Sequence, residues 1–171
     1  MEHRPGVQLI TEQLIGSVAE EAARSPRRRK NYNFHSGDGD NPHRFLNVLL
    51  AGSYVRPHRH RQPAKAEAFV VLAGHLAAFT FDGSGSVTGG YMLGNEPFRG
   101  RTPSKITEGG VARGIDLEPG VWHCVASLSP IAVCYEVKPG PWDPLTDKEF
   151  AVWAPEEGTP EAAEFLAALL A

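Results

Sequence analysis

Three histidines and one glutamate carry the chemistry that can be read from this chain. His58 and His60 are separated by one residue. On an extended strand both rings therefore point to the same face, with Cα atoms roughly 7 Å apart. Two imidazoles so placed can reach one ion from adjacent positions. Separated from His60 by six residues, Glu67 opens the apolar run EAFVVLAG and shares a face with Phe69 and Val71. A carboxylate among such neighbours is costly to bury unless a cation or a metal ion meets it. The fourth residue, His123, follows the turn Pro119-Gly120 in GIDLEPGVWH. A side chain presented at a strand start after a tight turn can meet the other three across a barrel. Neutral imidazoles with one carboxylate suit a divalent transition metal, Fe, Mn, Zn, Ni or Co, and one such ion is the expected cofactor. A shell of this size leaves one or two coordination positions open for water or substrate. Cys124 alternates away from His123 and offers no thiolate to the site.

The elements that must position these residues are mostly strands. From Gln8 to about Arg24, Leu9, Ile10, Leu14, Val18 and Ala22 recur at helical spacing, with Thr11 as a possible cap and Ser25-Pro26 as the stop. From Arg44 to Val137, short runs rich in Val, Leu, Phe and Tyr alternate with Gly, Pro, Asn and Ser. The pattern predicts strands near 44–50, 53–57, 67–73, 76–81, 88–93, 111–117, 122–127 and 131–137, hence a sandwich or barrel. A strap and a short helix, PEAAEFLAALLA, complete the chain over 138–171, with Pro160 suited to a first helical turn. The whole, 1–171, reads as a single domain with an N-terminal helix at about 8–24 and a barrel at about 44–137. Trp142, Asp143 and Asp147 read as turns that strap the C-terminal segment to the barrel, and His75 as facing away from the metal.

A hairpin of 122–127 with 131–137, turning around Ser129, would set His123 opposite Tyr135 and Cys124 opposite Cys134. Tyr135 would then stand beside the metal as acid, base or hydrogen-bond donor, a catalytic and substrate-binding candidate. Arg56 shares the face of His58 and His60 and is a candidate for binding an anionic substrate group. The basic run Arg27 to Lys30 reads either as a solvated face or as a patch that steers an anionic sugar or phosphate.

The histidine and glutamate segments resemble the two cupin motifs, G-x5-H-x-H-x3/4-E-x6-G and G-x5-P-x-G-x2-H-x3-N. Gly52, His58, His60, Glu67, Gly74 and His123 carry the resemblance. More of the chain is similar to the WbuC-type cupin-fold metalloproteins, through SPRRRKNYNFH, RFLNVLLAGSYVRPHRH, AFVVLAGHLAAFTFD, PGVWH and EVKPGPWDPLTDKEFAVWAPEEG, together about residues 25 to 158. The resemblance implies an all-β cupin double-stranded β-helix, a jelly-roll barrel, and metal roles for His58, His60, Glu67 and His123. Three departures stand out. Six residues rather than three or four separate His60 from Glu67, Glu118 takes the usual proline position, and Ser127 replaces the terminal Asn. The extra length falls in the loop RQPAKA. There, two added residues cost about a few tenths of a kcal/mol in closure entropy and leave the register of the following strand intact.

Composition narrows the function. Hydrophobic content of 42% and charged content of 22% are those of a soluble globular protein. A net charge of -3 argues against nonspecific nucleic-acid binding, and no apolar run approaches the ~20 residues of a membrane span. The opening MEHRPGVQLI lacks the signature of a signal peptide, and two cysteines are too few for a disulfide framework, so the expected location is the cytoplasm. Phe165, Leu166, Leu169 and Leu170 on the last helix suggest a homodimer. Two functions are in view. One is a metalloenzyme, an isomerase, hydrolase or oxygenase, acting on a small polar molecule. The WbuC resemblance implies polysaccharide or nucleotide-sugar metabolism for it. The other is a non-catalytic module in which the metal orients a bound ligand.

Overall fold

Thr11 starts the first element. Its hydroxyl accepts from the Leu14 N–H at 3.1 Å, and helix α1 runs Glu12–Arg24. It begins later than the apolar spacing predicts because Thr11 is itself extended, at φ -115° and ψ 158°. Ser25, ahead of Pro26, leaves the helix at φ -78° and ψ 132°, as the clash with a proline ring requires. The computed structural model describes residues 6–171. The first five residues, which begin the stretch MEHRPGVQLI, lie outside the described residues.

Eleven strands follow: β1 (Arg29–Asn33), β2 (His43–Leu50), β3 (His58–Arg59), β4 (Glu67–Ala73), β5 (His75–Phe81), β6 (Val87–Gly94), β7 (Val111–Ala112), β8 (Gly114–Leu117), β9 (Trp122–Ser127), β10 (Ile131–Lys138) and β11 (Glu149–Phe150). Helix α2 (Pro160–Leu170) ends the chain. The strands form two facing sheets, ordered β1-β2-β10-β4-β8 and β11-β3-β9-β5-β6-β7. All pairings are antiparallel except β6 with β7. This is the expected jelly-roll barrel. Alternation puts Leu49, Phe69, Val71, Leu76, Ala78 and Val125 between the sheets. Outside the first sheet, Leu46, Val48 and Val133 pack against Val18 and Ala22 of α1.

Six of the expected strands lie within a residue of the predicted bounds, and several departures have physical causes. No strand forms at 53–57. There the backbone is served by side chains, with Arg29 donating to the Tyr54 carbonyl at 2.8 Å and Glu157 accepting from the Arg56 N–H at 3.3 Å, and Pro57 has no N–H to give. The single strand expected over 111–117 divides at Arg113, because β7 pairs with β6 in one sheet and β8 with β4 in the other. The polar strand β1 arises from part of the basic run, as an edge paired to β2.

The hairpin expected between β9 and β10 does not form. β9 pairs with β5 and β3, while β10 lies between β2 and β4 in the opposite sheet. Alternation along a strand fixes its two faces but says nothing about its partner, and in a jelly roll this connection crosses between sheets. Tyr135 accordingly lies opposite Leu46 and Val70. It packs outside the barrel beneath α1, its ring centroid 5.9 Å from that of Phe34. The cysteines part company in the same way. Cys124 lies with Phe79, Phe81 and Leu169 on the outer face of the second sheet, and Cys134 lies inside with Leu49 and Val71.

Thr159 caps α2, accepting from Ala162 N–H at 3.3 Å, with Pro160 in the first turn as expected. Ala162, Leu166 and Leu169 are buried against Tyr54, Ala126, Phe79 and Cys124. The helix thus spends its apolar face on its own barrel, which removes that argument for a homodimer. Among the described residues no helix is long and apolar enough to cross a membrane.

Both cysteines are free and buried, and burial pushes both thiols well above the usual thiol range. We expect an aromatic disulfide reagent to titrate two thiols in denatured protein and essentially none in native protein. Formation of a Cys124–Cys134 bridge on mild oxidation of native protein would contradict this arrangement.

Candidate metal centre

His58 on β3 is directly paired with His123 on β9, and their ring centroids are 4.5 Å apart. His60 lies just beyond β3, where its carbonyl accepts from the Gly120 N–H at 3.0 Å. That bond ties the turn before His123 to the His-x-His segment. Gly120 sits at φ +85°, a conformation that side chains disfavour. Glu67 faces these rings from the opposing sheet, at the first residue of β4. The lengthened loop before it is absorbed as a local turn closed by an Arg61–Ala64 bridge, so the strand register is undisturbed. All four side chains are buried, and one potential ligand atom from each lies within 4.8 Å of the others. Metal–nitrogen bonds of about 2.0–2.1 Å would place ligand atoms on one ion about 3–4 Å apart, the scale of this cluster.

Hydrogen bonds set the tautomers. Nδ1 of His58 lies 2.9 Å from the Arg56 carbonyl, Nδ1 of His123 lies 2.9 Å from the Val121 carbonyl, and Nδ1 of His60 meets the Asp147 carbonyl. A carbonyl oxygen only accepts, so each Nδ1 carries the proton and each Nε2 presents a lone pair inward. His58 Nε2 and His60 Nε2 are buried without a hydrogen-bond partner. His123 Nε2 stands 2.9 Å from Glu67 Oε2, and His60 Nε2 stands 3.6 Å from Oε1. Three lone pairs and a carboxylate facing one point repel one another unless a cation sits among them. The donor set therefore fits a divalent transition ion.

Electrostatics agree with this division of roles. Burial, then the charge of Lys148, holds His58 well below the usual histidine range, so it stays neutral. Burial alone would raise Glu67, but the adjoining His123, His60 and Glu136 side chains outweigh it and hold the carboxyl well below its usual range. Burial and the adjacent Glu67 push Glu136 well above that range. The pair thus keeps its proton on Glu136, whose other oxygen accepts from Asn47 Nδ2 at 3.0 Å.

Glu136, Lys138, Asn47, Lys65, Asp147 and Lys148 surround the cluster and were not assigned to it from sequence. With Ala132 and Cys134 inward on β10, the period of two carries Glu136 and Lys138 inward as well. The assumed hairpin had reversed that parity in favour of Tyr135, which therefore has no place in the cavity. Asp143 does form the expected turn, accepting from the Leu145 N–H at 2.9 Å. Asp147 does more. Its carboxylate receives Lys65 at 2.7 Å and Lys138 at 2.8 Å while its carbonyl orients His60. Lys138 also stands 3.9 Å from Glu67. His75 is remote, at 2.8 Å from the Glu96 carbonyl and against Phe98.

The cluster lies at the base of a cavity of about 800 Å³ walled by β2, β10 and the C-terminal strap. Arg56 lines it, but its guanidinium is engaged, donating to the Ala151 carbonyl at 2.9 Å and lying 3.8 Å from Glu156. Arg29 at the mouth binds both oxygens of Glu157 at 2.7 Å, and Lys30 pairs with Glu21 at 3.0 Å. The basic run is thus partly committed to structure.

Two facing jelly-roll sheets with this cluster between them define the cupin fold. A family model described as a domain of unknown function (DUF6016) matches residues 10–93, just under half of the chain. No curated protein matches by sequence. Among solved structures the chain is similar to protein SO0799 from Shewanella oneidensis, at 14% identity and a TM-score of 0.50, covering 84% of this chain and 85% of that one. It is also similar to a capsular polysaccharide assembling protein, CapF, from Staphylococcus aureus, at 16% identity and a TM-score of 0.48, covering 71% of this chain and 31% of that one. The cupin domain of Schizosaccharomyces pombe Cnp3 matches at 10% identity and a TM-score of 0.44, covering 69% of this chain and 63% of that one. The chain thus spans less than two thirds of the latter two.

Two outcomes follow from the geometry. Glu67→Gln is expected to weaken metal binding measurably in a competition titration, and His58→Ala or His123→Ala to nearly abolish it. Unchanged affinity in the Gln variant would leave a site of three histidines alone. The raised Glu136 gives the second. Its fold-stabilised proton contributes stability below the unfolded carboxyl range, and that contribution is lost as pH rises towards the folded value. In chelator-treated protein, melting temperature should therefore fall more between pH 6 and pH 9 for the wild type than for Glu136→Gln, to be followed by circular dichroism.

Proposed function

We propose that this chain is a metal-dependent cupin enzyme acting on a small polar molecule. The observation that carries the reading is the convergence of three inward Nε2 lone pairs on the Glu67 carboxylate, with His58 Nε2 and His60 Nε2 left without protein partners. His58, His60, Glu67 and His123 would hold the ion, and Fe, Mn, Zn, Ni or Co each fit the donors. Bound there, the ion would supply Lewis acidity, or redox chemistry in the case of iron or manganese. The chain's own contribution is to keep His58 neutral, to hold a proton on Glu136 beside Glu67, and to brace the ring of His60 through Asp147. A held proton next to an open cavity is what a general acid needs, and it supports isomerisation, hydrolysis or oxygen-dependent chemistry. The similarity of residues 25 to 158 to WbuC-type proteins supports a sugar or nucleotide-sugar related substrate in polysaccharide metabolism.

A second reading, a binding module without turnover, is favoured by how many charged groups around the cavity are already paired, Lys65 and Lys138 to Asp147 and Arg29 to Glu157. In that case the ion would orient a ligand rather than activate it. Elemental analysis of protein purified without chelators tests what the two readings share, with about one divalent transition ion per chain expected. Protein that contains none, and that fails to take up Mn, Fe, Ni or Zn on titration, would remove both.

A further inference from the structure

Lys148 is a cavity cation with no carboxylate of its own. β11 pairs with β3 so that Phe150 lies opposite His58 and Glu149 opposite Arg59. The period of two therefore brings Lys148, like Phe150, to the face that carries His58 and His60, and both line the cavity. Its ammonium lies in the fields of Glu67, Lys138, Glu136 and Arg29, and its charge is felt at His58. The other cavity cations are engaged. Arg29 pairs with Glu157, Lys30 with Glu21, Arg56 with Glu156, and Lys138 with Asp147. Among the described lysines and arginines lining this cavity, Lys148 and the exposed Arg27 at the rim are those without an ion pair.

The charge balance of the interior points the same way. Lys65, Lys138 and Lys148 face three carboxylates, those of Glu67, Glu136 and Asp147. Counted as fully ionised, these cancel, so a divalent ion brings two positive charges that the protein does not answer. A proton on Glu136 makes the imbalance larger. Uncompensated charge in a partly dehydrated cavity is unfavourable, and the missing counter-charge must come from whatever occupies the space above the cluster. That space is roomy enough for a monosaccharide-sized ligand. Its walls mix apolar faces, Phe45, Phe69 and Phe150, with the polar Asn47.

We infer that the centre takes an acid, a small oxygen-rich molecule whose carboxylate or phosphate group is received by Lys148 Nζ while the rest of it lies over the metal cluster. This rests on the metal-dependent reading above and narrows it to anionic substrates. Lys148 is then a substrate-binding and specificity-determining residue, and neutral sugars are excluded because they leave the charge unanswered.

The test uses full-length protein loaded with Co(II), whose visible absorption reports on ligands near the ion. Glucuronate, inorganic phosphate and glucose serve as probes, with binding followed by calorimetry and by the cobalt spectrum. At least one anion is expected to bind and to perturb the spectrum while glucose does neither, and the two anions distinguish a carboxylate from a phosphate preference. Lys148→Met should weaken anion binding by about tenfold or more with cobalt content and melting temperature unchanged, and Lys148→Arg should retain most of it. The inference is overturned if neither anion binds to cobalt-loaded protein, if glucose binds as well as the acids, or if Lys148→Met binds them undiminished. A wild-type protein that takes up no cobalt overturns the metal-centre reading itself, and a separate measurement of metal content tells the two failures apart.

Discussion

Glu67 is buried with three imidazole nitrogens aimed at it, and the rest of the molecule is arranged to make that burial tolerable. A lone buried carboxylate costs several kcal/mol relative to water. Here the cost is met by convergence from both sheets, with the histidines carried on or beside β3 and β9 and the glutamate on β4. The barrel supplies this geometry because its two sheets face each other and side chains alternate inward. The backbone carbonyls of Arg56, Val121 and Asp147 do the finer work by fixing a proton on each outer nitrogen. A neutral ring with its lone pair directed inward is the form a metal requires.

Around that centre the C-terminal strap acts as a third wall. Asp147 joins three parts of the chain at once: Lys65 from the loop before β4, Lys138 from the end of β10, and His60 through its carbonyl. Both lysines are nearly excluded from solvent, so removing Asp147 would leave two buried charges unanswered. Phe150 places an aromatic ring 6.1 Å from that of His58, while Arg56 lies over the same Phe150 ring. The strap is therefore part of the cavity as well as a cover for the barrel.

The sequence was most legible where period and residue chemistry coincide. The His-x-His pair, the glutamate at the head of an apolar strand and the histidine after a Pro-Gly turn were all readable, and the four come together in the folded chain. The bounds of β2, β4, β5, β6, β9 and β10 were also close, because short apolar runs between turn residues mark them. Pairing was not legible. The short link from Ser127 to Ile131 suits a hairpin, yet here it crosses between sheets, and the choice depends on long-range partners that no local pattern records. That one misassignment displaced Tyr135 and hid Glu136 and Lys138. Asp147 and Lys148 were hidden differently, since a polar strap rich in Pro and Asp looks like surface until something folds beneath it.

The three rings differ in where their orientation comes from. His58 and His123 each take it from a carbonyl two residues earlier in the chain, so those rings are set as soon as the local backbone forms. His60 takes it from Asp147, 87 residues further on. A nascent or truncated chain that lacks the strap would own two preset donors and one free to rotate, and would grip a metal poorly. The donor set is thus completed only when the strap that carries Asp147 is laid against the barrel.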